Sequence, residues 1–147
     1  MATIQLPPDF KEFLKLLNSS EVQYLVIGGY AVNYYGFARA TADFDIWIAV
    51  TKEDARRLEQ ALHRFGFPDA AAASFLKERQ IIRMGVPPLR LEIHTSIAGV
   101  EFAACYARRV ETELDGVRVP LIHLDDLKRN KQAAGRLKDR LDLEQLP

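Results

Sequence analysis

The stretch from Ala42 to Val50 alternates without a break. Phe44, Ile46, Ile48 and Val50 fall on one side, and Asp43, Asp45, Trp47 and Ala49 on the other. A period of two is a strand, not a helix. Its apolar side has to be covered by another layer. Its other side opens with two carboxylates, so one strand is asked to serve both a core and a polar surface.

The surroundings give that strand its partners. Phe10, Phe13, Leu14 and Leu17 recur at helical spacing after Pro7-Pro8-Asp9, and Asn18-Ser19-Ser20 stops the helix. Val22 to Ile27 is a β-rich run ended by Gly28-Gly29, which suits a buried strand. Tyr30 to Tyr35 reads as a short helix closed by Gly36. Beyond the alternating strand, Thr51-Lys52-Glu53-Asp54 starts a helix with the stripe Leu58, Ala61, Leu62 and Phe65, and Gly66 ends it. Arg79 to Met84 and Leu89 to Thr95 read as two strands joined through Gly85-Val86-Pro87-Pro88. In the second, Leu89, Leu91 and Ile93 point one way, and Arg90, Glu92 and His94 the other. Val100 to Arg109 reads as a helix. Asp115-Gly116 marks a hairpin between Glu111–Leu114 and Val117–Leu121. Leu124 to Leu146 reads as one or two helices, with Gly135 as the break. This order predicts a mixed α/β (α+β) domain. At 147 residues the chain is expected to form a single domain over 1–147, with no internal repeat or linker.

Composition narrows the function classes. Lys and Arg total 20 and Asp and Glu total 20, so the net charge is zero. That opposes a protein that coats nucleic acid broadly, while leaving room for a local basic patch. A single cysteine, Cys105, rules out an internal disulfide framework and a multi-cysteine zinc site. The densest apolar run, Leu25 to Val32, is short and holds two glycines, far from the ~20 residues of a membrane helix. Asp9 and Glu12 near the start do not suit a secretion signal. A cytoplasmic protein with no membrane partner is the expectation.

The chemistry concentrates between Gly28 and Asp45. Asp43 and Asp45 at i and i+2 of a strand share one face, ~6.5–7 Å apart. Side-by-side carboxylates repel and call for a cation. Mg²⁺ takes oxygen ligands and completes its shell from water and substrate phosphates. A double glycine lets backbone approach a phosphate, and a following helix start offers free N–H groups to an anion. Glu92, on the polar side of its own strand, is the candidate third carboxylate for holding two ions. Taken singly, each signal has a bland reading: a solvated strand edge for the Asp-x-Asp, a simple turn for the Gly-Gly.

Together, Gly28, Gly29 and Ala31, followed by Arg39, Thr41, Asp43 and Asp45, resemble the polymerase-β-type nucleotidyltransferase superfamily. The likeness is greatest to its small bacterial Gly-Gly/Asp-x-Asp group, which includes the nucleotidyltransferase-like toxins of abortive-infection systems. Leu124-Asp125-Asp126-Leu127, Lys131, Ala133 to Arg136, Lys138-Asp139 and Asp142 resemble that group's helical tail. The resemblance spans roughly Val22 to Leu143. It implies a minimal nucleotidyltransferase core, a mixed sheet flanked by helices. It implies one or two Mg²⁺ ions on Asp43, Asp45 and Glu92, which act as the catalytic carboxylates. It places an NTP by Gly28, Gly29, Arg39, Thr41, Lys131 and Arg136. The reaction implied is transfer of a nucleoside monophosphate to a hydroxyl of RNA, protein or a small molecule, with a toxin–antitoxin pairing as one setting. The chain departs from the group in carrying Glu92 where Asp is common, and Gly28-Gly29 where many members have Gly-Ser. Little chain remains beyond the core. That favours an acceptor site completed by a partner or a homodimer, or else a non-catalytic module that binds nucleotide or a partner.

The remaining candidates have plain structural readings. Six basic and five acidic residues between Asp125 and Glu144 suit a solvated helix with pairs such as Lys138–Asp142. Arg39 serves equally to neutralise Asp43 and Asp45, and Asp139 to orient Arg136 or Arg39. His63, His94 and His123 are scattered without metal-ligand spacing, His94 alone sharing a face with Glu92. Trp47, Tyr30, Tyr34 and Tyr35 offer stacking surfaces for a base, although aromatics beside a strand are more often core. Cys105 lacks the surroundings of a nucleophile.

Overall fold

The computed structural model describes residues 4–86 and 89–147. Among the described residues six strands form one sheet, and six helices pack against it. In chain order the elements are α1 (Pro8–Ser19), β1 (Tyr24–Ile27), α2 (Gly28–Tyr34), β2 (Asp43–Ile48) and α3 (Lys52–Phe65). A 3₁₀ turn (Ala72–Phe75) leads to β3 (Ile81–Met84), β4 (Arg90–His94) and α4 (Phe102–Ala107). The hairpin β5 (Val110–Leu114) and β6 (Val117–Leu121) and the helices α5 (Leu124–Ala134) and α6 (Leu137–Gln145) complete the chain. The sheet order is β3-β4-β2-β1-β6-β5. β1 runs antiparallel to β2 and parallel to β6, while β2 and β4 are parallel, so the sheet is mixed as expected.

The local signals act as their chemistry requires. Thr51 caps α3, its hydroxyl accepting from the Asp54 amide at 3.0 Å. Gly66 ends that helix with φ +114°, a conformation that costs other residues a Cβ clash. Asp115 and Gly116 both carry positive φ and turn the β5–β6 hairpin, as read. Gly135, at φ +64°, separates α5 from α6, again as read. Two expectations shift. α2 begins at Gly28 itself, so the double glycine opens the helix and no loop precedes it. The helix expected over Val100–Arg109 is confined to Phe102–Ala107. Pro87 and Pro88, read as part of the turn between β3 and β4, lie outside the described residues.

The two faces of β2 are treated differently, which is what creates the site. On one face Phe44 meets Phe10 of α1 at 5.3 Å and Tyr30 of α2 at 5.0 Å between ring centroids. Phe10, Phe13, Leu14 and Leu17 of α1 and Leu58 and Leu62 of α3 are fully buried there. On the other face α4 covers only the C-terminal end of β2, where Trp47 packs edge-on against Phe102 at 5.2 Å. The N-terminal end of that face, with Asp43 and Asp45, is left open. No helix among the described residues is long and apolar enough to cross a membrane.

Candidate active site

The parallel pairing of β2 with β4 sets Asp43 beside Arg90, Asp45 beside Glu92 and Trp47 beside His94. Because facing residues of neighbouring strands project on the same side, the carboxylates of Asp43, Asp45 and Glu92 share one face. His94 joins them, its Nε2 lying 2.9 Å from Asp45 Oδ1 and 3.8 Å from Glu92 Oε2. Gly28 closes the floor. A Cβ built on it would fall 2.4 Å from Asp45 Oδ2, so only glycine lets the backbone pass this close. Gly29 is held as tightly against the Thr41 side chain.

These groups line an open cleft of about 600 Å³, within the usual range of small-molecule sites. Gly28, Gly29, Arg39, Thr41, Asp43, Asp45, Glu92, Lys131 and Arg136 all border it, so every site residue read from the sequence comes to one place. Arg83, Arg90, His94 and Lys138 border it as well. The cleft thus carries six Lys or Arg side chains and three carboxylates. Five of the cations are ion-paired, to these carboxylates or to Asp139 and Asp142 behind them, so a polyphosphate would bind by drawing Arg83 and Arg90 from their acids and by meeting Lys138.

The carboxylates differ in state. Burial, the hydrogen bond it shares with Asp45 and the charge of Asp45 push Glu92 above its ordinary value. Burial pushes Asp45 the same way, but its hydrogen bonds with His94 and Glu92 outweigh that and hold it below the usual carboxylate range. Asp43 is gripped by Arg90, whose Nε and Nη2 donate to its two oxygens at 3.1 and 2.9 Å. Arg83 donates to Glu92 at 3.2 Å. Asp45, Glu92 and His94 offer donor atoms that all lie within 4.8 Å of one another. Two carboxylate oxygens and an imidazole nitrogen this close together make a donor set that fits a divalent cation.

Several readings need correction. Arg90, not Arg39, neutralises Asp43; Arg39 is turned to Asp142, its Nε donating to Oδ1 at 2.9 Å. The tail is not a solvated helix pair. Asp126, Lys131, Asp139 and Asp142 are all buried, and Lys131 Nζ lies 3.3 Å from Asp139 and 3.1 Å from Asp142. Asp142 is thereby taken by Arg39 and Lys131, leaving Lys138 to face the cleft. Asp139 does orient Arg136, which donates to it through Nε at 2.7 Å. Trp47 and Tyr30 are buried in the core, so neither offers a free face to a base. Burial pushes the Cys105 thiol up to about 11, which leaves it inert. His94 escaped the spacing rule for metal ligands because its partner Asp45 is distant in sequence and adjacent only across the sheet. The alternation Arg90, Glu92, His94 had already put His94 on the face of Glu92; what the sequence lacked was the β2–β4 register that brings Asp45 to it.

The sequence model of the aminoglycoside-2''-adenylyltransferase family matches residues 9–146. The chain belongs to that family. The adenylyltransferase family has the nucleotidyltransferase fold, which bears out the superfamily resemblance carried by Gly28, Gly29, Asp43 and Asp45. A crystal structure from Thermotoga maritima, of a protein with a provisional nucleotidyltransferase assignment, superposes with a TM-score of 0.66. The match covers 96% of this chain and 94% of that one at 15% identity, and at that identity it speaks for the fold. Among curated proteins none matches. The matching family is named for adenylyl transfer, whereas the sequence resemblance pointed also to toxins.

Proposed function

We propose that this protein is a divalent-cation-dependent nucleotidyltransferase that moves a nucleoside monophosphate from an NTP, with ATP as the first candidate, to an acceptor hydroxyl. The observation that carries the reading is the convergence of Asp45, Glu92 and His94 in a basic cleft floored by Gly28. Family membership supports it independently.

Asp45 and Glu92 would hold the cation, with Asp43 joining when Arg90 releases it. A cation bound there, magnesium in the expectation from sequence, would neutralise phosphate charge and make the acceptor hydroxyl more acidic. Arg83, Arg136 and Lys138 rim the cleft and supply positive charge for the β- and γ-phosphates. Arg90, once free of Asp43, adds a planar fork matched to phosphate oxygens. Gly28 and Gly29 let the donor lie against backbone. The acceptor oxygen forms a bond to the α-phosphorus, the bond to the β-phosphate oxygen breaks, pyrophosphate leaves and the hydroxyl proton is released.

The acceptor class is a separate matter. The family is named for aminoglycosides, which are polycations; in this cleft the carboxylates Asp43, Asp45 and Glu92 are themselves taken by Arg90, His94 and Arg83, so no free acidic wall is left for a polycation. A hydroxyl on RNA, on a protein or on a less charged small molecule needs no such wall. A toxin role is the special case in which the modified molecule is essential. It requires growth arrest on expression that Asp45→Asn relieves, and it brings an antitoxin as partner.

A second reading, a nucleotide-binding module without transfer, has one observation in its favour. Arg90 occupies both oxygens of Asp43 as an ion pair would in a site that loads no metal. Pyrophosphate release from each NTP in the presence of divalent cation and mixed acceptors separates the two. Transfer predicts release that falls by about a hundredfold or more in Asp45→Asn while the melting curve stays cooperative. Undiminished release in that variant, or binding of NTP without any release, overturns the transfer reading.

A further inference from the structure

We propose that His94 is itself a metal ligand, so that this site takes a first-row transition ion such as Mn²⁺ in preference to Mg²⁺. The proposal rests on the reading of the cleft as a metal site and goes beyond it in naming the ligand and the ion class.

The geometry allows ligation as well as a simple hydrogen bond, because three donor atoms lie within 4.8 Å of one another. His94 Nε2 is 2.9 Å from Asp45 Oδ1, which a hydrogen bond alone would explain. It is also 3.8 Å from Glu92 Oε2, too far to bond and too close to ignore. Donors on a metal with bonds of ~2.1 Å sit roughly 3.0 Å apart when adjacent and roughly 4.2 Å apart when opposite. The 2.9 Å separation matches adjacent donors, and the 3.8 Å one lies between the two values, within reach of a small side-chain shift. The backbone fixes this arrangement. Glu92 and His94 are i and i+2 on β4, and the β2–β4 register sets Asp45 beside Glu92. The His94 side chain is largely buried, as are those of Asp45 and Glu92, so the imidazole is not free to swing into solvent.

The donor chemistry then selects the ion. Mg²⁺ demands oxygen ligands in a near-ideal octahedron; Mn²⁺ shares the preference for oxygen but tolerates one imidazole more readily, and the ions after it in the first row bind imidazole more strongly still. A site of one imidazole and two carboxylates therefore gains more from a transition ion than from magnesium. Asp43, held by Arg90, stays available as a further oxygen ligand once substrate phosphates draw that arginine away.

The test uses the full chain and Mn²⁺ as the probe, with and without a non-hydrolysable ATP analogue. Electron spin echo envelope modulation of bound Mn²⁺ should show coupling to a ¹⁴N nucleus, and His94→Gln should abolish it. Competition titration should show Mn²⁺ displacing Mg²⁺ in the wild type, with the variant losing roughly tenfold or more in Mn²⁺ affinity and little in Mg²⁺ affinity. A histidine that merely positions Asp45 would weaken both ions alike and give no nitrogen coupling, and that result overturns the proposal. So does a wild-type protein that binds no Mn²⁺ in either condition. Nitrogen coupling in a protein that releases no pyrophosphate from any NTP would sustain the ligand assignment while removing the transferase reading. The two can fail separately.

Discussion

Gly28 is the tightest point of the cleft. Its φ of +70° lies in the left-handed region, and a Cβ there would fall 2.4 Å from an oxygen of Asp45. Two penalties coincide at one position, a strained backbone and a clash with the side chain at the centre of the site. Gly28→Ala is expected to cost about 2 kcal/mol of stability and to weaken Mn²⁺ binding by displacing Asp45. Urea denaturation and a metal titration read the two effects, and a variant unchanged in both would show that Gly28 does not set the Asp45 position. At this scale much was legible in advance. A double glycine after an apolar run announced a close backbone approach, and Asp-x-Asp on an alternating strand announced paired carboxylates. The role of Arg90 was not legible, because its partner Asp43 is a cross-strand neighbour that only the β2–β4 register supplies.

At the scale of elements, α5 and α6 are tied to the site by charge. Lys131 of α5 sits between Asp139 and Asp142 of α6, and Asp142 also receives Arg39 from the segment that leads into β2. Burial is nearly complete at Lys131, Asp139 and Asp142, so water cannot replace the lost partner if one is removed. Lys131→Met is expected to destabilise the protein by about 3 kcal/mol, since two carboxylates would share the charge left by Arg39 and Arg136 alone. Chemical denaturation checks the magnitude, and a loss below about 0.5 kcal/mol, the level of a surface ion pair, would contradict the buried network. The charge count of the tail could not distinguish this from a solvated helix. Near-balance of sign is the same in both cases, and only the packing of α6 on α5 turns i,i+4 spacing into a core of ions.

The whole molecule should respond to acid through two of these buried acids. Burial pushes Asp126 up, but the Arg108 guanidinium, donating to both its oxygens, holds it below the usual range. Asp139 is likewise pushed up by burial and brought below it by Arg136 and Lys131. A folded-state pKa below the unfolded value means the folded protein binds its proton more weakly. The stability each contributes is therefore complete above the unfolded Asp value of ~3.9 and drains away as pH falls through the lower folded value. Glu92, raised, acts in the opposite sense, favouring the fold below its unfolded value and losing that contribution as pH rises through its folded value. The melting temperature is expected to fall steeply below about pH 4. The Asp126→Asn/Asp139→Asn double variant should start lower at neutral pH and show a shallower acid limb. An acid limb as steep as the wild type's would mean that other carboxylates govern acid unfolding.

What the sequence determined by itself is what acts over short separations. The period of two over β2 and β4, the stripes of α1 and α3, and the turns at Gly66, Asp115-Gly116 and Gly135 are all written within a few residues of where they act. The Gly-Gly and Asp-x-Asp spacing carried the superfamily as well, because a helix start and an adjacent strand face are local features. The tertiary structure alone decided which strands are neighbours. That register gave Arg90 to Asp43 and His94 to Asp45, and the packing of α6 gave Asp142 to Arg39 and Lys131. The physical reason is that a side chain's charge partner is set by distance in space. In a mixed sheet, parallel neighbours such as β2 and β4 are brought together by the fold and not by a turn.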